Sequence, residues 1–119
     1  MVIFVCSGNT CRSPLAEAVA RARYPAWSFG SAGLGASPGS TASAGTCDMA
    51  RDRGLDVEGH RSQRLDADLA DGARWIIGMT ADHVRGIRDA LPDHRGAVGK
   101  LGRPGVALAT DDDPAPGED

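Results

Sequence analysis

The sequence contains few aromatic residues, no excess of positive charge and no long hydrophobic segment. Aromatic residues make up 4% of its 119 residues, and 13 basic side chains against 16 acidic ones leave a net charge of −3. A nucleic-acid-binding surface is therefore not expected. No apolar run approaches the roughly 20 residues that span a bilayer, and residues 1–6 lack the regions of a signal peptide, so no membrane partner is expected. The three cysteines do not suit a disulfide framework, and we predict a cytoplasmic protein.

Strand-like and helix-like segments alternate along the chain. Short runs rich in β-forming residues predict strands at 2–5, 27–31, 75–79 and 97–101. Periodic apolar residues predict helices at 14–23, at 42–53 and between Thr80 and Pro92. This order predicts an α/β fold in three layers, a central parallel sheet of about four strands flanked by helices. The length and a 41% hydrophobic share suit a single domain over residues 1–119.

Capping residues predict where the helices begin. Ser13 is expected at the N-cap of the first helix, with Pro14 at its first helical position. Either Ser40 or Thr41 is expected to cap the second helix, and Thr80 the third. The first strand and the first helix are then joined by a polar, glycine-containing loop.

The most informative stretch is this loop, which reads Cys6-Ser7-Gly8-Asn9-Thr10-Cys11-Arg12-Ser13. It follows a strand and opens a helix, and both positions favour binding of an anion. Arg12 can bind two oxygens of a tetrahedral oxyanion, and successive backbone N–H groups can bind the others. Gly8 and Asn9 tolerate the positive φ of a tight path. We therefore predict that residues 7–13 bind phosphate.

Cys6 would face this electropositive cradle. A helix N-terminus and a nearby cation favour the thiolate, which can attack phosphorus and form a covalent phosphocysteine. Ser13 could donate its hydroxyl to the sulfur. Arg12 and the loop amides would then stabilise the charge on the equatorial oxygens in the transition state.

The remaining cysteines and histidines give weaker indications. Cys11 is either a resolving thiol that forms a reversible disulfide with Cys6, or a packing residue. Cys47 lies in a predicted helix and is expected to be an inert core thiol. His83 and His94 are expected to be solvated at the surface. Because the histidines are scattered and no two cysteines are separated by two residues, we predict no metal and no other cofactor.

The loop resembles the opening of the low-molecular-weight protein tyrosine phosphatases. These enzymes share a C-x5-R-S loop with other cysteine phosphatases, and its position after a single N-terminal strand is specific to this family. The resemblance extends along nearly the whole chain. The further similar segments are 31–34, 36–38, 60–65, 75–80 and the pair Asp113-Pro114.

The resemblance implies a role for each matching residue. Cys6 would be the nucleophile, and Arg12 would bind phosphate and stabilise the transition state. Asp113 would protonate the leaving group and then activate water. His60 would steady the phosphate loop through Asn9. The implied substrates are phosphorylated protein side chains, phosphotyrosine first, and inorganic phosphate or other oxyanions would occupy the same loop.

Three alternatives remain open from the sequence. The small polar Thr10 resembles the arginine-phosphatase branch of the family. A thioredoxin-linked arsenate reductase shares this loop, but it needs two further redox cysteines, and only Cys47 follows the loop. A non-catalytic oxyanion-binding module is the third alternative. The family continues past its Asp-Pro loop into another helix. We expect the domain at 1–119 to lack that helix, and this expectation favours the non-catalytic alternative.

Overall fold

The computed structural model of the protein describes residues 1–101. The strands are β1 (Val2–Cys6), β2 (Phe29–Gly33), β3 (Trp75–Gly78) and β4 (Ala97–Lys100). The helices are α1 (Arg12–Arg23), α2 (Ala44–Asp52), α3 (Ala67–Asp71) and α4 (Ala81–Ala90). The strands form one parallel sheet in the order β2-β1-β3-β4, which confirms the predicted α/β fold.

The central strand β1 is buried along its whole length and supplies the core on both faces of the sheet. Val2 and Phe4 pack on one face in a cluster that includes Ala20 of α1. Ile3 and Val5 pack on the other face in a cluster that includes Ile87 of α4. This alternation follows from the two-residue period of a strand, and it produces the three layers.

The strand order places the first loop at the functional edge of the sheet. The chain leaves β1 toward β2 on one side, whereas β3 and β4 lie on the other side. The sheet therefore reverses its order between β1 and β3, and the loops that follow these strands border one crevice. Open α/β folds bind their ligands at this kind of switch point.

Element boundaries differ from the predicted ones where side chains have other partners. Helix α1 begins at Arg12, and Ser13 does not cap it, because its hydroxyl is buried against Cys6 and the side chain of Asn9. Helix α2 is capped by Ser43 instead of Ser40 or Thr41. Strand β2 begins and ends two residues later than predicted, because Phe29 pairs with Val2 at the start of β1 and Gly33 pairs with Cys6 at its end.

Helix α3 was not predicted from the sequence. It has five residues, and the side chain of Asp66 caps it by accepting the backbone N–H of Leu69. A segment this short carries too few apolar residues for a periodic signal. Across residues 1–101 there is no helix with both the length and the apolar character that crossing a membrane requires.

Candidate active site

The thiol of Cys6 lies at the base of the loop over residues 6–13. The residue is 4% exposed, and its Sγ lies 3.0 Å from the hydroxyl oxygen of Ser13. The backbone N–H of Asn9 also donates to this sulfur, at 3.3 Å. The Ser13 oxygen accepts the side-chain N–H of Asn9 at 2.9 Å, and because a thiolate can only accept, the Ser13 hydroxyl donates its hydrogen to the sulfur when Cys6 is ionised. Two donors therefore converge on Sγ.

Asn9 is the buried centre of the loop. It is fully buried and has a φ of 56°, a left-handed conformation that asparagine tolerates better than most residues. Its side-chain oxygen accepts the backbone N–H of Gln63 at 2.9 Å, and its carbonyl accepts Nε2–H of His60 at 2.6 Å. The segment around residues 60–63 therefore holds the loop from one side. Gly8, by contrast, has no positive φ and is exposed.

The end of β2 and the turn that follows it contact the backbone of the loop. The backbone N–H of Leu34 donates to the Cys6 carbonyl at 3.0 Å, and that of Gly35 donates to the Ser7 carbonyl at 2.9 Å. Gly33 leaves no room for a side chain, since a Cβ there would lie 2.6 Å from the Ser7 carbonyl oxygen and 2.9 Å from the Asn9 nitrogen. The loop backbone thus rests directly on this glycine.

Several backbone donors of the loop have no partner in the described part of the chain. Within residues 1–101, the backbone N–H groups of Ser7, Gly8, Thr10 and Cys11 donate to no acceptor. The exposed side chain of Arg12 makes no ion pair with any of these residues. Several N–H donors in one loop, together with a guanidinium that has no ion-pair partner in this part of the chain, are suited to binding a tetrahedral oxyanion. Asp113, the expected acid, lies outside the described residues.

Cys11 points away from the base of the loop and is exposed. Its thiol donates to the hydroxyl of Ser43 at 3.5 Å, and Thr10 lies on its other side. The hydrogen bond with Ser43 lowers the pKa of the Cys11 thiol, and the contact with Thr10 lowers it further. Cys47 is half-buried in α2, where it packs against the core cluster of Ala42, Ala50 and Val57, and its thiol lies 3.9 Å from the Ala42 carbonyl.

His83 is a site residue that sequence reasoning missed. It was expected at the surface, but it is 6% exposed and its Nε2 lies 3.1 Å from the hydroxyl of Ser7. It stands at the third position of α4, where it forms a capping box with Thr80. The spacing of Thr80 and His83 could have indicated this pairing, although histidine is not the usual partner in such a box.

Comparison with known proteins identifies the family. A family model described as low molecular weight phosphotyrosine protein phosphatase matches residues 1–103. The chain belongs to the low-molecular-weight phosphatase family. It is 37% identical over 101 residues to the probable low molecular weight protein-tyrosine-phosphatase EpsP of Ralstonia solanacearum, an alignment that covers 85% of this chain and 70% of that protein.

Solved structures of low-molecular-weight phosphatases share the fold. The tyrosine phosphatase Wzb from Escherichia coli K30, in complex with sulphate, is 31% identical and superposes with a TM-score of 0.81, over 86% of this chain and 71% of that one. The YwlE arginine phosphatase from Geobacillus stearothermophilus is 34% identical, with a TM-score of 0.78, over 84% and 65% of the two chains. The low-molecular-weight phosphatase described here therefore has relatives named for two different phosphoamino acids.

Proposed function

We propose that this chain is a cysteine-dependent protein-tyrosine phosphatase that hydrolyses phosphotyrosine through a phosphocysteine on Cys6. The observation that carries the proposal is the loop itself. Two donors converge on one buried thiol, while four backbone N–H groups and Arg12 have no partner among residues 1–101 and are available to an oxyanion. The naming of EpsP and Wzb as tyrosine phosphatases supports the choice of phosphotyrosine, and the sulphate complex of Wzb supports binding of a tetrahedral anion.

In the first step the Cys6 thiolate attacks phosphorus in line with the tyrosyl oxygen. The S–P bond forms as the P–O bond to tyrosine breaks, and Asp113 donates its proton to the leaving oxygen. The hydroxyl of Ser13 and the backbone N–H of Asn9 donate to the attacking sulfur and stabilise it as an anion. Arg12 and the loop amides bind the equatorial oxygens, where the transition-state charge lies.

In the second step water attacks the phosphocysteine. The carboxylate of Asp113 takes a proton from that water, the S–P bond breaks, and inorganic phosphate leaves with the thiolate of Cys6 restored. Because the nucleophile must stay reduced and all three cysteines are free thiols, a reducing cytoplasm belongs to the same proposal.

The experiment compares two cysteine substitutions during turnover of para-nitrophenyl phosphate and of a phosphotyrosine peptide. Cys6→Ser is expected to abolish turnover, whereas Cys47→Ser, the matched control on α2, is expected to retain it. Asp113→Asn is expected to lower the rate about 10²- to 10⁴-fold, the usual contribution of a proton donor. Rapid acid quenching should trap the phosphocysteine in the native chain and not in Cys6→Ser.

The alternatives give different results in the same assay. Tight phosphate binding without turnover would show a non-catalytic oxyanion-binding module. Thiol oxidation that depends on arsenate, with no release of phosphate from an ester, would show a reductase. Faster hydrolysis of phosphoarginine than of phosphotyrosine would assign the chain to the arginine branch and overturn the proposed substrate.

A further inference from the structure

The loop after β1 and the start of α4 meet at the switch point between β1 and β3. The first loop brings Ser7, the residue after the buried thiol, and the first turn of α4 brings His83. The Ser7 hydroxyl and Nε2 of His83 lie 3.1 Å apart, although 76 positions separate the residues in sequence. His83 is buried, whereas Ser7 is exposed.

The direction of this hydrogen bond follows from the other nitrogen of the ring. Nδ1 of His83 accepts the backbone N–H of Thr80 at 3.2 Å, so Nδ1 carries no proton. A neutral imidazole then carries its hydrogen on Nε2, and this N–H donates to the Ser7 oxygen. Burial lowers the pKa of His83 and the charge of Arg12 lowers it further, while Asp82 acts in the opposite direction. The neutral ring therefore suits this position.

We propose that His83 is a positioning residue of the phosphate loop, which fixes Ser7 by donating from Nε2 to its hydroxyl. The inference rests on the proposed function of the loop around Cys6. The Ser7 carbonyl already accepts the N–H of Gly35, and the contact with His83 anchors the same residue from the opposite side of β1. Because the peptide bond is planar and trans, holding the Ser7 carbonyl on Gly35 directs the N–H of Gly8 the opposite way. That N–H is one of the four that have no acceptor in the described part of the chain.

The end of β3 is built so that the ring can reach the loop. A Cβ on Gly78 would lie 2.9 Å from the Cβ of His83 and 2.9 Å from the backbone nitrogen of Val84. Only glycine permits this approach of α4 to the strand. Thr80 then fixes the ring, because its hydroxyl accepts the N–H of His83 at 3.3 Å while its own N–H binds Nδ1. Helix start and ring orientation are therefore set by the same residues.

Two substitutions at His83 separate the contact with the loop from the cap. In His83→Asn, the amide oxygen can still accept the N–H of Thr80, but the side chain is too short to reach Ser7. In His83→Gln, the amide can place an N–H near the position of Nε2. Each is measured alone and combined with Ser7→Ala, and Asp89→Asn on the exposed side of α4 is the control.

The readouts are kcat/KM with para-nitrophenyl phosphate, calorimetric binding of inorganic phosphate, and the urea midpoint. His83→Asn is expected to weaken phosphate binding and to lower kcat/KM by about two- to tenfold, the net effect of one hydrogen bond. His83→Gln should recover most of this loss. In the Ser7→Ala background His83→Asn should cause no further loss, because the contact is already absent.

The proposal is overturned if His83→Asn binds phosphate like the native chain. It is also overturned if His83→Asn causes the same loss with and without the Ser7 hydroxyl, since the ring would then act by another route. If the native chain binds phosphate but has no turnover that Cys6→Ser abolishes, the catalytic proposal fails by itself. The phosphate-binding data still test the role of His83 in that case.

Discussion

Substituting Gly33 by alanine tests whether β2 sets the shape of the phosphate loop. The added Cβ would lie 2.6 Å from the Ser7 carbonyl oxygen, where ordinary contacts begin at 3.4 Å, so these atoms must separate by about 0.8 Å. The contact with the Asn9 nitrogen at 2.9 Å requires a further displacement in the same loop. Both neighbours are backbone atoms, and they cannot move aside as a flexible side chain can.

We expect two measurable effects of Gly33→Ala. Overpacking should lower the free energy of unfolding by about 1–3 kcal/mol, as measured by urea denaturation. A displacement approaching 1 Å beside the nucleophile should lower kcat/KM for para-nitrophenyl phosphate by up to about 10²-fold. Thus Gly33→Ala should impair activity more than its loss of stability alone would suggest.

Gly30→Ala is the matched control, because it makes the same change in the same strand. Its Cβ would meet only the sulfur of Met1, at 3.5 Å. We expect native activity from this variant, with stability unchanged or increased by about 0.5–1 kcal/mol through the lower entropy of the unfolded chain. The reasoning is refuted if Gly33→Ala and Gly30→Ala have the same kcat/KM and the same stability.

Two further predictions concern titrating groups. Burial and Arg12 lower the pKa of His83 below its ordinary value of 6.5, so the unfolded chain takes up the proton first as the pH falls. The contribution of His83 to the free energy of unfolding should be fully present above pH 6.5 and should decrease as the pH falls below 6.5, by at most about 1.4 kcal/mol per pH unit. Urea denaturation at a series of pH values should show this extra dependence in the native chain and not in His83→Asn. The hydrogen bond with Ser43 lowers the pKa of Cys11, so at neutral pH Cys11 should react with iodoacetamide faster than Cys47, and Ser43→Ala should slow it. Peptide mapping measures both rates, and equal rates for Cys11 in the two chains would contradict the assignment.

The sheet could be predicted because its signals are local. The apolar run of β1, the repeating apolar positions of α1 and the cap of α4 each lie within a few residues of one another. The boundaries were less accurate, since a cap depends on competition between partners. Ser13 has good capping chemistry, yet its hydroxyl binds Asn9 and Cys6 instead. That competition is visible only once the loop has folded back on the helix.

The surroundings of the loop could not be predicted from local pattern. The contact of His60 with the Asn9 carbonyl joins residues 51 positions apart, and it was expected only because of the family resemblance. No motif in the sequence connects His83 with the loop. Its burial depends on β3 pairing with β1, which brings α4 against the loop. A sequence in which histidines are scattered therefore does not show which of them face the same site.

The loop is held by residues that follow it in the chain by widely different intervals. His60 and Gln63 bind Asn9, the turn after β2 binds the backbone below the thiol, and His83 binds Ser7. Each partner lies beyond the end of β2 or β3 or in the segment between them, so the pairing of both strands with β1 is what places these partners around the loop. The local motif supplies the thiol, the guanidinium and the N–H groups. Their common orientation, on which oxyanion binding depends, is a property of the assembled sheet.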